Sequence, residues 1–197
     1  LSVLAEKPAR IRKLFLTEKQ NQLGVYGVKV CKNGEWKEVV LDDFIPCWRG
    51  EPAFSKAHGN ELWVILLEKA WAKLHGSYER IEAGFAENVL RDLTGAPTEV
   101  IETSDETLWD QCCRADKKNW IMAASAGSTS ASVEALEKLG LIGNHSYGLL
   151  GTVEVTDCDG QRVKLFQLRN PWGDFEWNGD WGDDSECWTP EAKRQAG

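Results

Sequence analysis

Histidine is scarce in this 197-residue chain, with three in total, so any histidine-based chemistry has few positions to occupy. No apolar run approaches the roughly 18 residues that a membrane span needs, and the basic-then-apolar pattern of a signal peptide does not open the chain. These two absences predict a soluble, intracellular, cytoplasmic protein with no transmembrane segment. Basic residues are outnumbered, 23 Lys and Arg against 31 Asp and Glu, giving a net charge of -8. That balance argues against a nucleic-acid backbone as the main partner, because counterion release needs clustered cations, and no nucleic-acid partner is expected. The six cysteines (Cys31, Cys47, Cys112, Cys113, Cys158, Cys187) form no C-x-x-C pair, which argues for reduced thiols over a disulfide frame or a zinc site. No internal repeat or low-complexity tract is present.

What is present is enough apolar residue, 42%, to bury a core as one domain or two packed halves. Leu1–Ala5 reads as the tail of a helix, and Pro8 opens a further helical turn through Ile11, Leu14 and Phe15. The chain therefore reads as a segment of something longer. Val25–Cys31 and Glu35–Leu41 alternate as strands around the tight turn Asn33-Gly34. Asn60 is placed to cap a helix carrying Leu62, Trp63, Leu66, Leu67, Ala70, Trp71 and Leu74, stopped by Gly76. The sequence loosens through Glu82-Ala-Gly-Phe85, so a boundary is expected there, between residues 1–84 and 85–197. Ala86–Leu93 is a short helix ended by Gly95 and Pro97. Thr103-Ser-Asp-Glu106 has capping-box spacing before a helix running to Asp116, Trp120–Ser125 reads as a buried strand, and Ser132–Leu139 is a helical stretch closed by Gly140.

The chemistry-bearing stretch is Asn144–Trp181. Two strand-forming runs flank the turn cluster Asp157–Gly160, with His145 at the outer end of the first and Asn170 at the outer end of the second. A hairpin would set the imidazole and the carboxamide side by side, where the Asn oxygen holds one ring nitrogen and directs the other at a nucleophile. A lone histidine is more often structural, and Asn before Pro171 is ordinarily a local turn cap. The pairing favours function, and a His–Asn pair supports a cysteine nucleophile. None of the six cysteines occupies the helix N-terminus that favours a thiolate; Cys47, after Pro46, comes nearest. Trp172, Trp177, Trp181 and Trp188 form an aromatic cluster whose ordinary role is packing, although Trp172 is placed to cover the His–Asn hydrogen bond. The acids Asp174, Glu176, Asp180, Asp183, Asp184 and Glu186 lie in a glycine-bent loop that is either solvated surface or a calcium loop without EF-hand spacing.

The run L-R-N-P-W-G-D-F-E-W-N-G-D-W resembles the R-N-P-W-G-x-x-E-W-x-G-x-W signature of the calpains, intracellular papain-like cysteine proteases. Gly34–Pro46 and Gly59–Glu79 are similar to two further calpain segments, so nearly the whole chain is covered. The resemblance implies an α+β, papain-like protease core with a helical first half, a strand-rich second half and an active-site cleft between them. It implies His145 as the catalytic histidine, Asn170 as its orienting asparagine and Trp172 as their shield. It also implies regulatory Ca2+, with Glu61 as a ligand in the first half and Glu176 and Asp183 in the second, the ion drawing the halves together. The catalytic cysteine and the glutamine of the oxyanion hole would precede Leu1, and further domains of the same chain would follow Gly197. Where calpains have Gly-His-Ala this chain has Asn144-His145-Ser146, which leaves the backbone before the histidine less free. The expected function is hydrolysis of peptide bonds in protein substrates. The competing reading is an inactive calpain-like module with a structural or partner-binding role in a protein assembly, motivated by the missing cysteine and by ten tryptophans available for contact surfaces.

Overall fold

A computed structural model describes the backbone of residues 1–56, 59, 61–127, 130–173 and 175–197, and their side chains except at 130–132. It is an α+β chain that divides into two compact units, Leu1 with Val3–Val100 and Ser2 with Ile101–Gly197. No helix among the described residues is long and apolar enough to cross a membrane.

The first unit starts with the short helices α1 (Ser2–Ala5) and α2 (Pro8–Arg12) and is built on an antiparallel hairpin of β1 (Val25–Lys32) and β2 (Glu35–Asp42). Asn33 and Gly34 both take positive φ, 54° and 81°, the backbone a two-residue hairpin turn requires. Tyr26, Val28 and Val30 on β1 are buried, and Val39 and Leu41 on β2 join them at alternate positions. The two-residue strands β3 (Cys47–Trp48) and β4 (Glu51–Pro52) form a small separate ladder. Helix α3 (Trp63–His75) buries Ile65, Leu66, Leu67, Ala70 and Ala72 and ends where Gly76, at φ 103°, donates its N–H to the Ala72 carbonyl. The cap expected at Asn60 lies outside the described residues. Lys69 and Lys73 of α3 reach the end of β2, donating to the carbonyls of Asp42, Phe44 and Val40.

Helix α4 (Ala86–Thr94) packs on β1 and buries Asp92 and Leu93. It therefore sits with the first unit, and the division between the units lies downstream of the one expected after Gly84. Asp92 is bound by Lys32 of β1 at 2.7 Å, and the same ammonium donates to His75 Nε2 of α3 at 3.3 Å. Trp71 stacks on His75 with ring centroids 4.5 Å apart, and Lys32 lies over the Trp71 ring.

This clasp makes the first unit sensitive to pH. Burial, followed by the Lys32 charge, holds the His75 imidazole below its ordinary value of 6.5, against a smaller opposing pull from Asp92. Besides Lys32, the charged groups near it are Asp92 at 3.9 Å and, bridged to Asp92, Arg91. Between the folded and ordinary values the unfolded chain holds more protons, so stability rises with pH across that window and the contribution is fully present above it. Urea midpoints measured from about pH 5 to pH 7.5 are expected to rise with pH, and His75→Gln is expected to flatten the rise.

The second unit is a three-stranded antiparallel sheet in the order β5 (Met122–Ser125), β6 (Ser146–Thr156), β7 (Arg162–Arg169). Strand β5 is half-buried at alternate residues, not fully buried as expected, because it is an edge strand covered on one face. Helix α5 (Leu108–Lys117) locks onto β6 through Asp116, which accepts from the Thr152 N–H at 2.8 Å and from its hydroxyl. The expected capping box does not form at α5. Asp105 instead accepts from the Thr107 N–H and hydroxyl, and Gln111 donates to Thr107 Oγ1. Helix α6 (Ser130–Lys138) precedes β6. Helix α7 (Pro190–Ala196) was not expected; Thr189 caps it by accepting from the Ala192 N–H at 3.0 Å, and it packs on β6.

Candidate active site

The β6–β7 hairpin carries the histidine and the asparagine on the chain just outside its two strands. Its turn is organised by Asp157, whose Oδ1 accepts from the N–H groups of Asp159 and Gln161, and by Gly160 at φ 79°. From Thr156↔Arg162 the ladder runs regularly to Gly151↔Gln167, then slips by one at Leu150 and resumes as Leu149↔Leu168 and Gly148↔Arg169. The ladder is centred on Asp159, beyond the expected midpoint between Asp157 and Cys158, and without the bulge Asn170 would face Gly148. Continued by one step past the bulge, the ladder sets Asn170 opposite Tyr147, so His145 and Asn170 are diagonal neighbours and not directly opposed.

The diagonal is closed by a hydrogen bond of 2.9 Å between His145 Nε2 and Asn170 Oδ1. The carboxamide's orientation is fixed by its other partners. Its Oδ1 accepts from the Trp172 N–H at 3.1 Å, and its Nδ2 donates to the Phe175 carbonyl at 3.3 Å. Reversing the amide would set its NH2 against an N–H and its oxygen against a carbonyl, so the oxygen faces the ring. An oxygen can only accept here, so Nε2 carries the hydrogen and Nδ1 is left as the nitrogen that can take a proton.

His145 is 9% exposed. Trp172 lies against it with centroids 4.5 Å apart and planes at 56°, while remaining 64% exposed within the chain. Tyr147, which the sequence reading did not single out, meets the imidazole at 4.9 Å with planes at 86°. The strand period was the available signal, because 145 and 147 share a face. Tyr147 is 5% exposed and its hydroxyl accepts from the Ile142 N–H at 2.7 Å. Asn144 takes φ 54°, the left-handed region that asparagine tolerates better than other non-glycine residues. Asparagine thus supplies the backbone conformation that glycine readily adopts, so the replacement leaves the approach to His145 intact.

Among the cysteines of this unit, none hydrogen-bonds to His145. Cys112 is buried, which pushes its thiol up, and Cys113 beside it pushes the same way. Cys158 is exposed in the hairpin turn and Cys187 lies in the acidic loop. In the first unit Cys47, the nearest candidate from sequence, is exposed with its Sγ set against the Ile45 carbonyl at 3.3 Å.

The acidic loop is a succession of turns held by indole groups. Trp177 Nε1 donates to the Asp180 carbonyl and Trp188 Nε1 to the Gly182 carbonyl, each at 2.8 Å, and Trp181 packs edge-on against Trp188 at 5.0 Å. The loop is tied to the end of α6, where Asn178 donates its N–H to the Leu139 carbonyl and a side chain at Gly140 would strike the Glu176 carbonyl. The three expected metal ligands are exposed: Glu176 and Asp183 in this loop, and Glu61, whose carboxylate accepts from Trp63 Nε1 at 2.9 Å. Among the described residues no three acidic, histidine or cysteine side chains gather into a set that holds a metal ion.

Comparison with known proteins agrees with the motif and the geometry. A family model described as calpain family cysteine protease matches residues 1–197. The Calpain-type cysteine protease ADL1 of Oryza sativa subsp. japonica is 41% identical over 207 residues, covering 99% of this chain and 9% of that protein. The Calpain-type cysteine protease DEK1 of Arabidopsis thaliana is 40% identical over a stretch of the same extent. Calpain-9 of Homo sapiens is 38% identical over 169 residues, covering 84% of this chain and 24% of that protein. The chain thus spans less than a quarter of the length of these relatives. With a whole-length family match and an oriented His145–Asn170 pair on the expected hairpin, the chain belongs to the calpain family of cysteine proteases.

Proposed function

We propose that this chain is part of the core of a cysteine endopeptidase, contributing the general base and its orienting group. The observation that carries the reading is the 2.9 Å bond from His145 Nε2 to an Asn170 whose amide orientation is set by two backbone partners. In this reading the nucleophile is a cysteine N-terminal to Leu1. His145 Nδ1 takes the thiol proton, the thiolate attacks a peptide carbonyl, and the imidazolium returns that proton to the leaving amine. A water activated by the same nitrogen then releases the acyl group. Asn170 keeps Nε2–H occupied through each step, so only Nδ1 exchanges protons. The substrates are proteins, met inside the cell by a longer chain of which this is one part. Calcium regulation rests on the family resemblance of Glu61, Glu176 and Asp183.

The test uses the complete protein and a peptidyl epoxide that alkylates activated thiols. The expected result is one covalent adduct, on a cysteine preceding Leu1, formed with His145 present and suppressed in His145→Ala. A complete protein that neither takes up the probe nor cleaves peptides overturns the reading in favour of a non-catalytic module.

A further inference from the structure

The imidazole is held by more than its asparagine. Tyr147 sits on the middle strand of the sheet, paired with Ala124 of β5 on one side and one step beyond the Gly148↔Arg169 pair on the other. Its ring is buried and perpendicular to the imidazole, and its hydroxyl accepts the N–H of Ile142 in the segment that leads into His145. One side chain therefore touches both the ring and the backbone that delivers it. On the same segment, a side chain at Gly143 would strike Val133 of α6 at 2.6 Å, so the loop has no slack toward the helix.

We propose that Tyr147 is a positioning residue for His145, fixing the imidazole's rotation and so keeping Nε2–H on the Asn170 oxygen. Asn170 by itself defines one point on the ring, about which the imidazole can swing. Trp172, largely exposed, is a weak stop against that swing, whereas Tyr147 is rooted in the middle strand. Its ring supplies the barrier and its hydroxyl sets the height of the incoming loop. The catalytic consequence rests on the protease reading above, but the positional one does not.

The experiment is nitrogen-15 NMR of the histidine rings in the complete protein, with Tyr147→Phe and Tyr147→Leu. The parent is expected to show His145 as a single Nε2–H tautomer with slow exchange of that hydrogen. Tyr147→Phe keeps the ring and is expected to keep the tautomer, with faster exchange at the Ile142 amide. Tyr147→Leu is expected to mix the tautomers and speed Nε2–H exchange at least tenfold, while the amide shifts of β5 and β7 stay in place. A Leu variant with an intact sheet and an unchanged Nε2–H signal overturns the proposal. If the leucine variant does not fold, the phenylalanine variant decides: loss of the single tautomer there would show that the ring is not what fixes it. In cleavage assays, displacement of a base by about an ångström costs on the order of 10²-fold, so Tyr147→Leu is expected to lower kcat by that factor with KM unchanged. Absence of probe labelling in the parent would count against the protease reading, while the NMR result would still decide the role of Tyr147.

Discussion

His145→Ala in the complete protein is expected to lower kcat/KM for peptide cleavage by about 10³–10⁴-fold, the loss that accompanies removal of a general base serving two proton transfers. The substitution is also expected to leave the fold unperturbed. The Asn170 amide retains the Trp172 N–H on its oxygen and the Phe175 carbonyl on its nitrogen, so the loop after β7 keeps its anchor when the imidazole is removed. Asn170 is a poorer choice for the same test. Asn170→Ala would release the imidazole and both backbone groups of the loop together, and a loss of activity could not be assigned to orientation. Asn170→Asp still offers an oxygen to Nε2–H and to the Trp172 N–H, but sets a second oxygen against the Phe175 carbonyl. Steady-state kinetics with a peptide substrate, paired with thermal unfolding of parent and variant, checks the prediction. Undiminished cleavage by a folded His145→Ala protein would remove His145 from the mechanism.

That His145 and Asn170 meet was readable in the sequence because both stand at the outer ends of strand-like runs around one turn cluster. Their diagonal arrangement was not, since it depends on where the turn is centred and on a single slipped residue at Leu150, although Leu149-Leu150 interrupts the alternation there and Gly151 follows it. Tyr147 was not legible for a related reason: its contact with His145 comes from sharing a strand face, and a tyrosine there carries no reactive pattern. The hairpin of the first unit was fully legible from Asn33-Gly34, because a turn of that type is determined by two residues. Helix α4 was legible as a helix but not as a member of the first unit, because its attachment runs through Asp92 to Lys32, 60 residues away. Helix α7 carries a readable start in Thr189-Pro190, hidden by its polar composition and by its short length. The acidic loop shows a different kind of gap. Its carboxylates suggested ligands, while its fold is set by tryptophan indoles donating to backbone carbonyls.

Asp92→Ala is expected to destabilise the first unit by about 3 kcal/mol, at the lower end of what removing one partner from a buried ion pair costs. Asp92 is 2% exposed and Lys32 29% exposed, so the abandoned ammonium regains part of its hydration and the loss is not the largest possible. The pair joins β1 to α4 directly, and through His75 it reaches the end of α3. Its removal should therefore show as faster hydrogen exchange in β1 and α4 before any change in the second unit's sheet. Asp92→Asn keeps an oxygen for Lys32 and is expected to lose about half as much. Replacing both partners, Lys32→Met with Asp92→Leu, leaves no charge behind and is expected to return stability to within about 1 kcal/mol of the parent. The pH response gives a further check with a definite sign. Asp92 is the group that draws the His75 value upward, so in Asp92→Ala that value falls further below 6.5. The window in which the unfolded chain holds the extra proton widens, and stability should continue to fall with decreasing pH to a lower limit than in the parent. An Asp92→Ala protein within about 0.5 kcal/mol of the parent at neutral pH, or one whose pH response is unchanged, would mean that the clasp does not hold α4 to the hairpin.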